Sequence, residues 1–172
     1  RVHRRQRQMC IRDRNNISDD IKGVKAITMV DNRWSRPDIK TTQLLPNVLA
    51  KTFANENNAY EGIFIDHEGY ITEGSSSNIW IINNNNEILT REIDGKILSG
   101  ITRKTIANFA KKNNFKLLEE KFTKDELLES KEVFLTSASS FVIPIIQIDN
   151  IKINNGIVGK TSIELRNLYF KN

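Results

Sequence analysis

Apolar residues recur along this chain in two rhythms, and the switches between them mark strands and helices. Residues 23–30, GVKAITMV, are apolar and partly β-branched, which predicts a buried strand. Residues 31–38, with Trp34 and Pro37, read as a loop. From Thr42 the rhythm is helical: Leu45, Val48, Leu49, Thr52 and Phe53 recur at three- and four-residue spacing until Asn57 and Asn58. Strands are predicted at 60–65 and 70–72, joined by a turn at 67–69. Two more, at 78–82 and 87–89, flank the asparagine run 83–86. Residues 98–102 form a loop leading into a helix with Ile101, Ile106, Phe109 and Ala110 on one stripe. A strand follows at 115–120, then a capping-box pattern at Thr123–Glu126 with Asp125 and Glu126 in the first turn. Strands at 133–136 and 141–148 surround a small-residue loop at 137–140, residues 151–153 follow a tight turn, and 161–170 is a closing helix. The alternation predicts a single α/β or β-rich α+β body without internal repeats.

Composition sharpens this picture. A length of 172 residues with 38% hydrophobic and 27% charged side chains suits one globular domain and excludes disorder. No apolar run reaches the roughly 18 residues of a membrane helix. The net charge of +5 is local: residues 1–14 (RVHRRQRQMCIRDR) hold six arginines and Asp13, leaving 20 basic and 20 acidic side chains in the rest. A nucleic-acid-binding arm would interleave aromatics or follow a helical period, and a mitochondrial presequence would carry Ser on an amphipathic helix. The tract does neither. It reads as non-native sequence, resembling translated adapter read-through, with 15–22 as linker. A lone cysteine, Cys10, excludes disulfides and Cys-rich metal sites and suits a reducing cytoplasm. With only His3 and His67, a histidine-based metal site or triad lacks material.

Several positions can carry chemistry, each with a bland reading beside it. Lys40 stands where a loop enters a helix, where most lysines are solvated charges. Glu73 closes a strand before Gly74, Ser75, Ser76, Ser77 and Asn78, a carboxylate facing a small-residue wall that a planar ligand can approach. Gly100, Ile101 and Thr102 open a helix, whose free N–H groups favour phosphate, although most helix starts bind only water. Residues 136–140 form a second hydroxyl-rich loop.

The order of these motifs is more specific than any one of them. DIKTTQLLPNVLAK (38–51), TEGSSSN (72–78), LSGITR (98–103) and FLTSASSFVIPI (134–145) together resemble the fold-type IV (class IV) pyridoxal-phosphate aminotransferases. The likeness is strongest to the D-amino acid (D-alanine) aminotransferase subgroup. Branched-chain aminotransferases and aminodeoxychorismate lyases share the Glu-Gly and Gly-Ile-Thr-Arg elements but differ around the lysine. The resemblance implies a barrel-like sheet domain flanked by helices, covering residues 23–172, with pyridoxal 5'-phosphate as cofactor. It implies transamination of D-alanine and 2-oxoglutarate to pyruvate and D-glutamate. By the same resemblance, Lys40 is the Schiff-base lysine and proton shuttle, and Glu73 pairs with the pyridine nitrogen. Ile101 and Thr102 hold the phosphate, Leu98 packs under the ring, Ser137, Ala138 and Ser139 form a second phosphate-side loop, and Ser75, Ser76 and Ser77 line the cofactor face.

Two features depart from the family pattern. Ala138 stands where a hydroxyl is frequent, and Phe141 and Ile143 where Glu and Thr are common. The family also implies a small N-terminal domain that contributes an arginine to the cofactor phosphate and helps bind the substrate carboxylate, and a homodimer with its sites near the interface. Nothing in 1–22 resembles that domain. The expectation is a C-terminal cofactor domain alone, with little turnover by itself, acting on small molecules and not on nucleic acid or membranes.

Overall fold

The computed structural model describes residues 21–171. The basic tract at 1–14 and most of the proposed linker lie outside the described residues. Among the described residues nine strands form one mixed sheet: β1 (Val24–Val30), β2 (Glu61–Ile65), β3 (Ile71–Gly74), β4 (Asn78–Ile82), β5 (Ile88–Thr90), β6 (Leu117–Glu119), β7 (Glu132–Ser137), β8 (Phe141–Ile148) and β9 (Ile151–Lys152). The helices are α1 (Leu45–Glu56), α2 (Ile101–Lys112), α3 (Lys124–Leu128) and α4 (Lys160–Lys171), with a single 3-10 turn at Asn154–Gly156. No helix among the described residues is long and apolar enough to cross a membrane.

The strand order is β3-β2-β1-β8-β7-β4-β5-β6, with β9 paired to β8. β3 and β4 are neighbours in sequence, linked by Ser75, Ser76 and Ser77, yet four strands separate them in the sheet. In a flat sheet they would lie about 24 Å apart, at about 4.8 Å per strand. A three-residue link spans only about 14 Å. The sheet must therefore curl into a half-barrel, and the Gly74 N–H donates to Ser77 O at 2.7 Å across the tight return. The far edges also approach: the Ile71 N–H donates to Phe122 O at 2.9 Å, just beyond β6.

Curling gives the sheet an inside and an outside, and each is a core. Ile79 and Ile81 of β4, with Val133 and Leu135 of β7, pack inward with Ile63, Ile71, Phe122 and Ile148. Trp80 and Ile82, with Phe134, face outward and are covered by Ile106, Ala107 and Ala110 of α2 and Leu165 of α4. Burial on both faces explains why β4 and β7 read as continuous apolar runs. Trp80 stacks on Phe134 with ring centroids 5.6 Å apart, and its indole N–H reaches Thr136 Oγ1 at 2.9 Å.

Most boundaries follow the sequence pattern. The capping box forms: Thr123 Oγ1 accepts the Glu126 N–H at 3.2 Å, and Glu126 Oε2 accepts the Thr123 N–H at 2.7 Å. The strand expected at 115–120 shortens to Leu117–Glu119 because the Phe115 N–H caps α2 on Ala110 O, with Asn114 at φ 60°. The expected strand at 70–72 extends to Gly74, carrying Glu73 inside β3. The asparagine abundance, to which the sequence assigns no role, has a conformational one. Asn58, Asn86, Asn114, Asn150, Asn154 and Asn155 all take positive φ, the left-handed region this side chain tolerates best after glycine.

The helix at α1 forms where the spacing predicts it, but its apolar stripe is not covered by any of the described residues. Ala50 and Ala54 face the sheet, whereas Leu45, Val48, Leu49 and Phe53 are exposed. Gly62 of β2 permits that approach, since a Cβ there would stand 3.2 Å from Ala50 O.

Candidate active site

The curl leaves a cavity of about 780 Å³ between the β3–β4 return, the start of α2, the β7–β8 loop and the loop before α1. Of the residues singled out from the sequence, Lys40, Glu73, Ser75, Ser76, Ser77, Leu98, Gly100, Ile101, Thr102, Ser137 and Ala138 line it, whereas Ser139 does not. They come from four segments that only the tertiary fold brings together.

Glu73 is 6% exposed. Its Oε2 accepts the Leu98 N–H at 3.0 Å and Asn78 Nδ2 at 3.2 Å, and its Oε1 is paired with Arg33 Nη1. A carboxylate has about four acceptor positions. Three are taken, so one on Oε1 remains. Burial pushes the Glu73 carboxyl up to about 7, although the Arg33 guanidinium pulls the other way. At neutral pH this group can therefore hold a proton or give one up.

Arg33 is not singled out by sequence pattern, yet it organises this end of the cavity. Its Nε and Nη2 grip Asp31 at 2.9 and 2.7 Å, Nη2 also reaches Thr72 Oγ1 at 3.2 Å, and the guanidinium lies 4.7 Å above the Phe64 ring. Burial opposes ionisation of Asp31, but the hydrogen bonds and charge of Arg33 hold its carboxyl below the usual range. The sequence offers one faint signal for this cluster, an arginine two residues after an aspartate in a loop beside Trp34.

The start of α2 has no side-chain cap and no acidic residue in its first turn, which leaves its first N–H groups available. Gly100 is required by a close approach: a Cβ would run into Asn78 Oδ1. Asn78 in turn donates to Leu98 O at 2.9 Å, tying the α2 start to the Glu73 strand. Thr102 Oγ1 donates to Ser137 O at 3.1 Å, linking the two small-residue loops. Ala138 is exposed, while Ser137 Oγ accepts the Ser140 N–H at 3.0 Å and so serves the turn. Phe141 occupies a positive φ of 60° and packs on Tyr169 and Phe170. This aromatic anchor stands where the resemblance implies a glutamate.

Lys40 is exposed in the cavity lining contributed by the loop before α1, after a turn in which the Ile39 N–H donates to Arg36 O at 3.1 Å. α1 follows, and Asn47 Nδ2 donates to Ser75 O at 2.9 Å, joining the lysine wall to the serine turn.

Comparison with known proteins bears on this arrangement. A profile of the family "Amino-transferase class IV" matches residues 6–148. The D-alanine aminotransferase of Bacillus licheniformis is 44% identical over 137 residues, covering 80% of this chain and 48% of that protein. That of Listeria innocua is 41% identical over 150 residues, covering 87% of this chain and 51% of that protein. This chain thus spans about half the length of these relatives. Among solved structures, a T.th. branched-chain amino acid aminotransferase with pyridoxamine 5'-phosphate superposes with a TM-score of 0.81 at 28% identity, over 90% of this chain and 52% of that one. The same enzyme complexed with N-(5'-phosphopyridoxyl)-L-glutamate gives 0.79 at 30% identity, over 87% and 51%. With the family profile matching well over half of its residues, this chain belongs to the class IV aminotransferases.

Proposed function

We propose that this chain binds pyridoxal 5'-phosphate in the cavity and supports transamination through a Schiff base on Lys40, with D-alanine as the preferred amino donor and 2-oxoglutarate as acceptor. The observation that carries the reading is one cavity holding a lysine on one wall and, on the other, a buried carboxylate with one acceptor position left. The residues fit the group: Glu73 for a ring nitrogen, Leu98 beneath the ring, the uncapped α2 start at Gly100, Ile101 and Thr102 for the phosphate, and the Ser137–Ala138 loop beside it. The cofactor, when bound, supplies an electron sink for the pair left at the substrate α-carbon.

The protein's part is placement and proton handling. Glu73, titrating near 7 in the cofactor-free protein, can yield its proton to a ring nitrogen and remain as its counter-charge. Arg33 then offsets the burial of that charge. Lys40 would hold and move a proton at Nζ beside the substrate α-carbon. The α2 N-terminus would hold the phosphate by its N–H groups and dipole. The exposed stripe of α1 is a surface on which a second copy can bury apolar area in a homodimer.

The test is borohydride reduction of the chain incubated with pyridoxal 5'-phosphate, followed by peptide mapping. The adduct is expected on Lys40 and is expected to vanish in Lys40→Arg. Labelling spread over surface lysines without preference for Lys40 would overturn the reading. Sustained turnover is expected to be weak, and D-alanine is expected to discharge the bound cofactor faster than L-leucine. The reverse order would favour the branched-chain reading, which the structural likeness to those enzymes motivates.

A further inference from the structure

The proposed chemistry leaves one buried carboxylate without a task. Glu61, the first residue of β2, is 1% exposed and lies behind the serine turn, outside the cavity lining. Ser75 Oγ donates to its Oε1, and Ser76 Oγ and Ser77 Oγ donate to Oε2 at 3.1 and 2.8 Å. Oε1 also accepts the adjacent Gly62 N–H at 3.1 Å, and Lys51 Nζ, the facing cation, stands 3.7 Å away.

Each hydroxyl has one proton to give. All three in this turn give theirs to Glu61, so none is left to donate to a ligand. The family resemblance implies that these serines line the cofactor face, and all three do border the cavity. The geometry adds a task, which is to fasten the turn from behind. That turn joins Glu73 to Asn78, and Asn78 binds both Glu73 and the Leu98 carbonyl. The space for this fastening is made by Gly74, where a Cβ would run into Ser77 Oγ and approach Glu61 Cγ to 3.1 Å.

We propose that Glu61 is a positioning residue: it draws the three hydroxyls of the serine turn onto one buried carboxylate and thereby fixes Glu73 and Asn78 at the cofactor site. The proposal rests on the pyridoxal-phosphate reading for its ligand, and on hydrogen bonding alone for the turn.

The experiment compares the chain with Glu61→Gln and Glu61→Asp. An amide side chain has one acceptor oxygen instead of two, so it cannot take all three hydroxyls together with the Gly62 N–H. In the cofactor-free proteins, Glu61→Gln is expected to raise amide hydrogen exchange across residues 74–78 about tenfold or more, the scale of losing a charge-assisted hydrogen bond. The outer core around Trp80 is expected to keep its protection. Affinity for pyridoxal 5'-phosphate should fall by a similar factor, and the absorbance of bound cofactor should titrate at a different pH, because Glu73 has moved. Glu61→Asp, which keeps both oxygens, should recover part of each effect. Exchange and affinity within about twofold of the parent would overturn the proposal. If Glu61→Gln does not fold, Ser77→Ala carries the same measurements, and unchanged exchange there would be equally fatal. A parent chain that forms no adduct would sink the function proposed above. The exchange arm, read without cofactor, still decides the role of Glu61.

Discussion

The two walls of the cavity are built on opposite principles. The wall carrying Glu73 is buried and densely paired, with one acceptor position of Glu73 left open: Arg33, Asp31, Thr72, Asn78 and the Leu98 N–H bond to one another, and Glu61 fastens the adjoining turn. The wall carrying Lys40 is exposed, and the helix behind it turns Leu45, Val48, Leu49 and Phe53 away from the chain's own core. Burial makes polar groups costly unless paired, so a buried wall must be rigidly specified. The exposed wall is held by the Asn47–Ser75 bond, the contacts of Lys51 with Tyr60 and Glu61, and the packing of Ala50 and Ala54. The difference assigns a division of labour. One wall sets a fixed electrostatic environment, and the other keeps a lysine accessible and an apolar face open.

The contrast can be broken most severely at Arg33. Replacing it by Gln leaves Glu73 and Asp31 without their cation and should cost about 3–5 kcal/mol, the scale of a broken buried ion pair. Urea denaturation would read this, and a loss under about 1 kcal/mol would mean that the wall is not built on charge pairing.

A smaller effect follows from Glu73 itself. Its carboxyl titrates near 7 in the folded protein against 4.5 in the unfolded chain. A raised value means that folding favours the protonated form. The stability this group contributes is complete below pH 4.5 and is lost as pH rises to about 7, on the order of 3 kcal/mol. The cofactor-free chain should therefore weaken across that window, and Glu73→Gln should flatten the profile there. A rising profile would place the ionised carboxylate, with Arg33, as the favoured state instead.

The smallest effect belongs to the exposed wall. Leu45→Gln and Leu49→Gln should each change stability by no more than about 0.5 kcal/mol, since neither side chain is buried. Sedimentation should sharpen the point: where the parent chain self-associates, these changes are expected to weaken association while the unfolding midpoint at low concentration stays put. A large loss in the monomer would show that the stripe packs within the chain after all.

Strands and helices were legible because their rhythms are local. β4 and β7 announce burial on both faces by unbroken apolar runs, and α1 and α2 both show helical spacing. Spacing does not say what covers a stripe. Ile106 and Ala110 of α2 meet the sheet, whereas the stripe of α1 meets nothing described, because the small residues Ala50 and Ala54 let the opposite face lie closer to β2. Within the site, Lys40, Glu73 and the α2 start were legible through the order of their motifs. Arg33 and Glu61 were not, because their partners lie 40 and 14–16 residues away in sequence. A charged residue in a loop or at a strand start looks solvated until the fold buries it.

By itself, then, the sequence determined the family, the element types and the residues offered to the cavity, since all of these depend on identity and short-range order. Only the tertiary structure decided how they act. A three-residue link between strands distant in the sheet forces the curl, and the curl both creates the cavity and buries the charges around it. The fold thereby turns Glu73 into a carboxyl poised near neutrality, Arg33 into its counter-charge, and three serines of a loop into fasteners of the wall.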